Sequence, residues 1–331
     1  MLSQSPTSHA GLFSLVASDL RRVEQVIALD TICCEDVVTR ISAHLRSSGG
    51  KRLRPALLLL SARACGELGE RPVRMAAVME IIHAATLVHD DVIDSAEVRR
   101  GEPSTNQIWG NQISVLAGDW LYMQAFTLAL QERHFGVLDI LTDLTKMMVE
   151  GELMQAELIG RLDVTEQQNH DLMHRKTACL LAACGRLGAL IAGRSEGVQE
   201  RLRAYGWNLG MAFQLIDDVL DFEASESVLG KPVGNDLREG KLTLPLILAL
   251  RSCTPDERRQ VEAVVRDRGY AAVPAGRIRE IVRRYGGIAD VRDRAAGFCE
   301  SARQNLRDLP KTPYRAALEL AAGRWLVGRA S

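Results

Sequence analysis

Apolar residues recur at the spacing of an α-helix along most of this chain. In successive segments, Leu, Ile, Val, Met and Ala occupy positions i, i+3, i+4 and i+7, which form one face of a helix. No convincing alternation of apolar and polar residues, the pattern of a half-buried strand, lies between them. The sequence therefore predicts an all-α protein, with helical segments at 12–28, 34–45, 54–68, 73–94, 113–131, 137–159, 166–192, 199–222, 243–251, 255–268, 277–285, 288–306 and 314–327.

Some of the predicted helices are apolar on more than one face, notably residues 57–60 and 180–190. Such helices lie at the centre of a bundle or at a subunit interface. The chain has 331 residues, of which 47% are hydrophobic, so it can bury a large core. No low-complexity linker divides it, and we expect a single domain spanning residues 1–331.

Charge and cysteine content narrow the classes of partner and compartment. The formal net charge is -1, so no overall field favours nucleic acid or an anionic membrane. The seven cysteines are odd in number and include no C-x-x-C pair, which is typical of reduced thiols in the cytosol. Residues 1–11 lack a targeting pattern, and no later segment is expected to be apolar over about 18 residues. The sequence predicts a cytoplasmic protein without stable membrane insertion.

Three carboxylates, Asp90, Asp91 and Asp94, lie in one of the apolar helical segments. At about 100° per residue, Asp90 and Asp94 project from the same helix face, and Asp91 is displaced to one side. Two carboxylates one turn apart can hold a hard divalent cation. Mg²⁺ accepts such sparse ligation when phosphate oxygens complete its octahedron.

The same D-D-x-x-D spacing recurs at Asp217, Asp218 and Asp221. A single motif of this kind is as often a solvated helix face, but two copies within apolar surroundings indicate helices that face inward. If the two clusters faced each other across a cavity, their charges would repel. The sequence therefore predicts that metal and diphosphate bind together.

Basic and polar residues near these motifs suit a diphosphate. Lys51 and Arg54 stand at the start of a predicted helix, after a Gly pair whose N–H groups can approach an anion. Arg99 and Arg100 follow the first Asp motif, and guanidinium groups match diphosphate oxygens bidentately. Arg52 is expected to be only solvated. Further cations and dipoles, each weak alone, are Lys176, Thr177, Gln214, Lys231 and Lys241.

The order and spacing of these motifs over residues 49–245 resemble the trans-isoprenyl diphosphate synthases. The resemblance implies the isoprenoid synthase type I fold, a single large helical bundle around a central cavity. It also implies a homodimer. The expected activity is Mg²⁺-dependent condensation of isopentenyl diphosphate with an allylic diphosphate, by ionisation, condensation and elimination.

The resemblance also implies roles for individual residues. Three Mg²⁺ ions would bind together with substrate. Their expected direct ligands are Asp90, Asp94 and Asp217. The carboxylates expected to hold metal-bound water or support the ligands are Asp91, Asp218 and Asp221.

Substrate contacts follow from the same resemblance. The allylic diphosphate would meet Arg99, Lys176 and Lys231, and Lys241 would add a further cation. Isopentenyl diphosphate would meet Lys51, Arg54, His83 and Arg100. Thr177 and Gln214 would present oxygen dipoles to the allylic cation, whereas His89 is expected to make a structural hydrogen bond.

Product length should depend on the residues just before Asp90. Short-chain members of the family commonly carry a bulky residue four or five positions before the first Asp, and here those positions hold Thr86 and Ala85. We therefore expect a long-chain all-trans polyprenyl diphosphate. The alternative is a medium-chain product, geranylgeranyl or farnesylgeranyl diphosphate.

Three other functions fit the motifs less well. A class I terpene cyclase binds one diphosphate and usually pairs its Asp motif with an Asn/Ser/Glu motif, whereas this chain has two D-D-x-x-D motifs and a second basic site. Non-catalytic partner subunits characteristically lose the Asp motifs or the basic residues. A metal phosphohydrolase would need further histidines in a matching constellation.

Overall fold

The computed structural model describes residues 13–32, 36–47, 52–99, 101–223 and 234–324. These residues are predominantly helical, which confirms the all-α prediction. A 3₁₀ turn at Ser14–Val16 leads into the helices of the first half, α1 (Ala17–Asp30), α2 (Asp36–Ser47), α3 (Leu53–Ala64), α4 (Arg71–Ile93), α5 (Thr105–Leu130) and α6 (Phe135–Leu158).

The second half continues the helical architecture. Its elements are α7 (Glu166–Met173), a π-helical turn (His174–Ala178), α8 (Cys179–Ile191), α9 (Glu196–Glu223), α10 (Asn235–Arg238), α11 (Leu244–Leu250), α12 (Pro255–Asp267), α13 (Ala275–Arg284), α14 (Gly287–Asn305) and α15 (Pro313–Arg324). Most predicted segments match these helices to within a few residues. The continuous helix predicted at 166–192 is instead interrupted by the π-helical turn.

A short antiparallel ladder, which the sequence did not predict, joins β1 (Val98–Arg99) to β2 (Glu102–Pro103). Gly101 lies between the strands with φ 84°, a left-handed conformation that glycine adopts without steric penalty. Two residues per strand are too few to show an alternating pattern. The ladder matters because it carries Arg99 next to the first Asp motif.

Helix α5 begins eight residues earlier than the predicted segment at 113–131. Ser104 precedes it in an extended conformation, and Gly110 departs from helical geometry with φ 79° and ψ 161°. Among the described residues, α5 is long and apolar enough to cross a membrane by length and composition, with a mean hydropathy of 1.3 over a window of 18 residues. The expectation that no segment is this apolar is therefore wrong, although buried core helices of soluble proteins pass the same test.

The chain divides into two compact units, each built from separated stretches of sequence. The first comprises residues 1–142, 183–203 and 308–320, and its core includes the fully buried Leu58 and Leu59 of α3. Helix α8 packs closely on α3, because a Cβ on Gly188 would lie 2.7 Å from Ser61 Cβ and 2.9 Å from Leu58 O. The leucine-rich stretch at 57–60 is thus central to this core, as its apolar sequence predicted.

The second unit comprises residues 143–182, 204–307 and 321–331. Its hydrophobic core joins α9, α11, α12, α13 and α14, with Leu215 and Val219 of α9 among the buried residues. Gly206 and Gly210 allow α9 to approach the π-helical turn and α8. A Cβ on Gly206 would lie 2.2 Å from Leu181 O, and one on Gly210 would lie 2.6 Å from Ala178 Cα. This close packing brings Gln214 beside Thr177.

Candidate active site

The first Asp motif lies at the C-terminal end of α4. The helix ends at Ile93, one residue earlier than predicted, and Asp94 is its C-cap. The backbone N–H of Asp94 donates to Asp90 O at 2.8 Å, so the two residues remain one turn apart. Asp90 is half-buried and Asp94 is exposed. The two carboxylates of this motif that are predicted to bind metal therefore lie at the solvent-exposed end of a helix.

Asp91 has a different environment from its neighbours, because its side chain is buried. Its Oδ1 accepts a hydrogen bond from Arg99 Nε at 2.5 Å, and Thr105 Oγ1 donates to Oδ2 at 3.4 Å. Arg99, predicted to meet the allylic diphosphate, is thereby anchored to the first Asp motif. The Asp91 carboxyl therefore holds the guanidinium group of Arg99 at Nε.

His89 contacts α5. Its Nε2 lies 3.1 Å from Val115 O, and a Cβ on Gly118 would lie 2.2 Å from the same ring nitrogen. The imidazole therefore fills the space that Gly118 leaves at the crossing of α4 and α5. The predicted structural hydrogen bond of His89 is confirmed.

The expectation that Arg52 is only solvated is wrong. Its side chain forms ion pairs with Glu24 at 2.5 Å and with Glu80 at 2.6 Å. These contacts fix the start of α3, where Arg52 has φ 46° as N-cap. No sequence pattern indicates this role, because Glu24 and Glu80 come from helices that are distant along the chain.

The predicted isopentenyl diphosphate ligands are only partly described. Arg54 is half-buried in the first turn of α3, and His83 is half-buried on α4. His83 lines a cavity of about 40 Å³ together with Arg46, Arg52 and Glu80. Predicted positions that lie outside the described residues are Gly49, Gly50, Lys51, Arg100, Lys231 and the neighbours of Lys231 at 230 and 232.

Lys176 lies in the π-helical turn and is held by Glu152 of α6, with Nζ 2.7 Å from Oε1. The two elements approach closely because residue 151 is glycine, whose Cβ would lie 3.0 Å from Arg175 Cβ. Glu150 pairs with Arg175 in the same way. Trp207 Nε1 donates to His174 Nδ1 at 2.8 Å at the start of the turn. Single π-helical turns within α-helices frequently occur at functional sites.

A chain of side-chain hydrogen bonds connects this turn to the second Asp motif. Thr177 Oγ1 donates to Gln214 Oε1 at 2.9 Å, and Gln214 Nε2 donates to Asp218 Oδ1 at 2.8 Å. The backbone N–H of Leu244 also donates to the Asp218 carboxyl group. Thr177 and Gln214, which the sequence singled out separately, therefore belong to one network.

The second Asp motif is more enclosed than the first. Asp217 is half-buried, whereas Asp218 is 3% exposed and Asp221 is 1% exposed. Burial raises the pKa of the Asp218 carboxyl well above its ordinary value. The hydrogen bond from Gln214 opposes this change, and the nearby charges of Asp236 and Asp217 add to it.

Tyr270, for which no sequence motif was found, hydrogen-bonds to Gly234 beside the second Asp motif. Gly234 N donates to Asp221 O at 3.0 Å, and Tyr270 Oη donates to Gly234 O at 2.6 Å. Burial, followed by the charges of Asp221 and Asp236, raises the pKa of Tyr270, so the hydroxyl keeps its proton. Lys241, a predicted substrate ligand, pairs with Glu239 at 2.9 Å in the following turn.

The two positions expected to control product length lie on α4. Ala85 is fully buried, and Thr86 is half-buried with its Oγ1 donating to His83 O at 2.8 Å. Neither side chain is bulky. In the part of the chain that the structure describes, no group of three or more His, Cys, Asp or Glu side chains is arranged to hold a metal ion.

Comparison with known proteins gives consistent matches. The model of the polyprenyl synthetase family matches residues 35–281. Octaprenyl diphosphate synthase of Escherichia coli is 36% identical over 304 residues, which cover 92% of this chain and 94% of that protein. A short chain isoprenyl diphosphate synthase of Methanothermobacter thermautotrophicus is also 36% identical, over 291 residues that cover 87% of this chain and 89% of that protein.

A solved structure is similar to this fold. It is a polyprenyl synthase from Caulobacter crescentus CB15, complexed with calcium and isoprenyl diphosphate, and it is 35% identical. The TM-score is 0.92, with 99% of this chain and 100% of that chain covered.

Proposed function

Because the chain belongs to the polyprenyl synthetase family and is therefore a prenyltransferase, we propose that it condenses isopentenyl diphosphate with an allylic diphosphate to give a long-chain all-trans polyprenyl diphosphate. The observation that carries the proposal is near full-length similarity to an octaprenyl diphosphate synthase in a chain that keeps two complete D-D-x-x-D motifs. The reaction would consist of ionisation of the allylic diphosphate, attack by the isopentenyl double bond, and loss of a proton. One catalytic domain would span the chain.

The carboxylates of the two motifs suit Mg²⁺ by their chemistry. Asp90 and Asp217 are half-buried and Asp94 is exposed, so each can offer hard oxygen donors. Mg²⁺ is commonly held by one or two carboxylates and completed by substrate phosphates, which fits Asp90 and Asp94 one helical turn apart. We assign Asp90, Asp94 and Asp217 as its ligands, with three ions bound alongside substrate. When bound, Mg²⁺ would stabilise the charge of the departing pyrophosphate.

The allylic diphosphate would be held by Arg99 and Lys176. Arginine has five N–H donors, so the bond from Nε to Asp91 leaves further donors on the guanidinium group of Arg99 for phosphate oxygens. Lys176 is paired with Glu152, and phosphate would replace that carboxylate when substrate binds. Lys231 and Lys241 would add positive charge. The buried carboxylates Asp91, Asp218 and Asp221 would support these groups rather than contact substrate.

Isopentenyl diphosphate would occupy a second site formed by Lys51, Arg54, His83 and Arg100. Arg54 and His83 lie on neighbouring helices of the same compact unit. At the reacting carbon, the oxygen atoms of Thr177 and Gln214 would face the positive charge of the ionised allylic group. Oriented dipoles of this kind stabilise a developing charge without reorganisation.

The long-chain product is supported by two observations. A relative that is 36% identical over 304 residues is an octaprenyl diphosphate synthase, and the side chains of Ala85 and Thr86 are too small to stop a growing chain. The short chain synthase is equally identical, so overall identity does not decide chain length. The alternative therefore remains a medium-chain product such as geranylgeranyl or farnesylgeranyl diphosphate.

A homodimer is supported by the exposed surface of α5. Leu116, Met123 and Leu130 recur at seven-residue spacing on this helix and are 57%, 62% and 47% exposed. A seven-residue apolar repeat suits packing against a second helix. Pairing with the same three side chains of another copy would bury them in a homodimer. Such pairing suits a cytoplasmic enzyme that does not insert into a membrane. Sedimentation of wild type and Met123→Glu tests this, because the charged variant should be monomeric.

The activity is tested by incubating the protein with labelled isopentenyl diphosphate, Mg²⁺ and a series of allylic primers. The expected result is elongation to products longer than farnesylgeranyl diphosphate. Products no longer than farnesylgeranyl diphosphate would contradict the long-chain assignment. Conversion of an allylic diphosphate without isopentenyl diphosphate would favour a terpene cyclase instead.

A further inference from the structure

The side chain of Asp218 is engaged by donors from the protein on more than one side. Gln214 Nε2 donates to its Oδ1 at 2.8 Å, and the backbone N–H of Leu244 donates to the same carboxyl group. The residue is 3% exposed, whereas the preceding Asp217 is half-buried. Two consecutive residues on α9 thus have different surroundings, and the carboxyl of Asp218 is directed into the protein.

This arrangement fixes the direction of the hydrogen-bond chain that ends at Thr177. A hydroxyl can donate or accept, and an amide presents oxygen on one side and NH₂ on the other, so Thr177 and Gln214 alone could pair in either direction. The carboxyl of Asp218 keeps an acceptor oxygen and draws Nε2 of Gln214 towards it. Oε1 of Gln214 then faces Thr177, whose hydroxyl donates to it at 2.9 Å.

The direction of the chain has an electrostatic consequence at Thr177. When the hydroxyl proton is committed to Gln214, the lone pairs of Thr177 Oγ1 point away from Gln214. In the reversed chain, Thr177 would accept from Gln214 and direct its own proton outward. A lone pair stabilises an adjacent positive charge, whereas a proton destabilises it.

We propose that Asp218 is a positioning residue that fixes the direction of the Thr177–Gln214 hydrogen bond, so that Thr177 presents lone pairs to the positive charge of the ionised allylic substrate. The proposal rests on the proposed prenyltransferase function. It gives Asp218 a role other than holding metal-bound water, which the family resemblance implied. Asp218 would act through Gln214 and Thr177, without touching substrate.

The isosteric variant Asp218→Asn tests this role. Asparagine offers one oxygen to the two donors, Gln214 and Leu244, and its NH₂ group forces one of them to turn away. The backbone of Leu244 cannot rotate its N–H freely, so the amide of Gln214 is expected to reverse. We expect kcat to fall by about 10- to 100-fold, as for other residues that orient a reacting group, with unchanged KM for both substrates and unchanged Mg²⁺ dependence.

A double-mutant cycle with Thr177→Val shows whether Asp218 acts through Thr177. Valine keeps the shape of threonine and removes the hydroxyl, so in that background Asp218→Asn should cost little further activity. Asp217→Asn is the contrasting variant, because loss of a metal ligand should raise the Mg²⁺ concentration needed for half-maximal rate. A full additional loss from Asp218→Asn in the Thr177→Val background, or a shifted Mg²⁺ dependence, would overturn the proposal.

A measurement independent of activity separates this proposal from the function on which it rests. In protein labelled with ¹⁵N-glutamine, the side-chain NH₂ resonance of Gln214 is identified by its loss in Gln214→Glu. Asp218→Asn should shift this resonance and speed its exchange with solvent, with an unchanged thermal unfolding midpoint confirming the fold. An unshifted resonance would contradict the hydrogen-bond direction, whereas failure of wild type to elongate a primer would contradict the proposed function alone.

Discussion

The two D-D-x-x-D motifs have identical spacing in sequence and different surroundings in the fold. In the first, α4 ends at Ile93 and leaves Asp94 exposed as its C-cap. In the second, α9 continues to Glu223, and Asp221 is only 1% exposed. The last carboxylate of the motif is therefore open to solvent in one case and enclosed in the other. Equal spacing does not make equivalent ligands.

The middle aspartates of the two motifs, by contrast, are alike. Asp91 is fully buried and accepts from Arg99, and Asp218 is 3% exposed and accepts from Gln214. In each motif one carboxylate orients a neighbouring polar side chain. The difference between the motifs lies in their outer members, which leaves Asp90, Asp94 and Asp217 as the accessible carboxylates.

The largest expected effect comes from removing an accessible carboxylate. Asp90→Ala should lower kcat by about 10³-fold with every allylic primer, because charge on the departing pyrophosphate is no longer stabilised. Steady-state kinetics with unchanged circular dichroism measures this loss. Normal turnover in the variant would remove the metal assignment from the first motif.

A smaller effect is expected for the middle residue of the first motif. Asp91→Asn removes the charge that anchors Arg99, and should raise KM for the allylic diphosphate by about tenfold while KM for isopentenyl diphosphate stays constant. Hydrogen bonds to charged groups contribute about 1.5–3 kcal/mol, so the unfolding free energy should fall by a similar amount. If Asp91→Asn instead reproduced the kinetics of Asp90→Ala, the division between middle and outer aspartates would be wrong.

Product length sharpens the comparison, because only the first motif is preceded by positions that are expected to control it. Thr86→Tyr should shorten the main product, as should Ala85→Tyr if the protein accepts the larger side chain. Ala85 is fully buried, and overpacking costs about 1–3 kcal/mol, so its unfolding midpoint must be measured as well. Chromatographic sizing of dephosphorylated products reports the result. Unchanged chain length in a folded Thr86→Tyr variant would refute the expectation that these positions control product length.

The smallest expected effect concerns Lys176 and its partner in the second unit. Glu152→Gln removes the carboxylate that competes with phosphate for Lys176, and part-exposed ion pairs contribute about 0.2–1 kcal/mol. KM for the allylic diphosphate should therefore fall by about 1.4- to fivefold. Glu150→Gln, which affects the neighbouring pair with Arg175, is the matched control and should leave KM unchanged. A rise in KM for Glu152→Gln would show that Glu152 orients Lys176 instead.

Much of this architecture could be predicted from sequence because long helices carry a regular apolar pattern. The pattern located α4 and α9 to within a few residues, and with them the carboxylates on each helix. It could not locate the π-helical turn at His174–Ala178, since one extra residue per turn leaves no periodic trace in so short a segment. The pattern also could not predict the ladder around Gly101, because its two-residue strands are too short to show an alternation.

The roles of individual side chains were harder to predict, because they depend on contacts between distant segments. Arg52 was expected to be solvated and instead pairs with Glu24 and Glu80. Glu152 and Tyr270 carried no recognisable motif, although Gly151 beside Glu152 is a signal of close packing. The spacing of a D-D-x-x-D motif likewise predicts on which face of the helix each carboxylate lies. It does not predict where the helix ends.

The most direct test of the different outer carboxylates is a Mg²⁺ titration of prenyltransferase activity in Asp94→Asn and Asp221→Asn. The exposed Asp94 is assigned as a ligand, so its variant should need more Mg²⁺ for half-maximal rate and should unfold at the wild-type temperature. The enclosed Asp221 is assigned a supporting role, so its variant should unfold at a lower temperature with an unchanged Mg²⁺ requirement. A raised Mg²⁺ requirement for Asp221→Asn with none for Asp94→Asn would contradict the account.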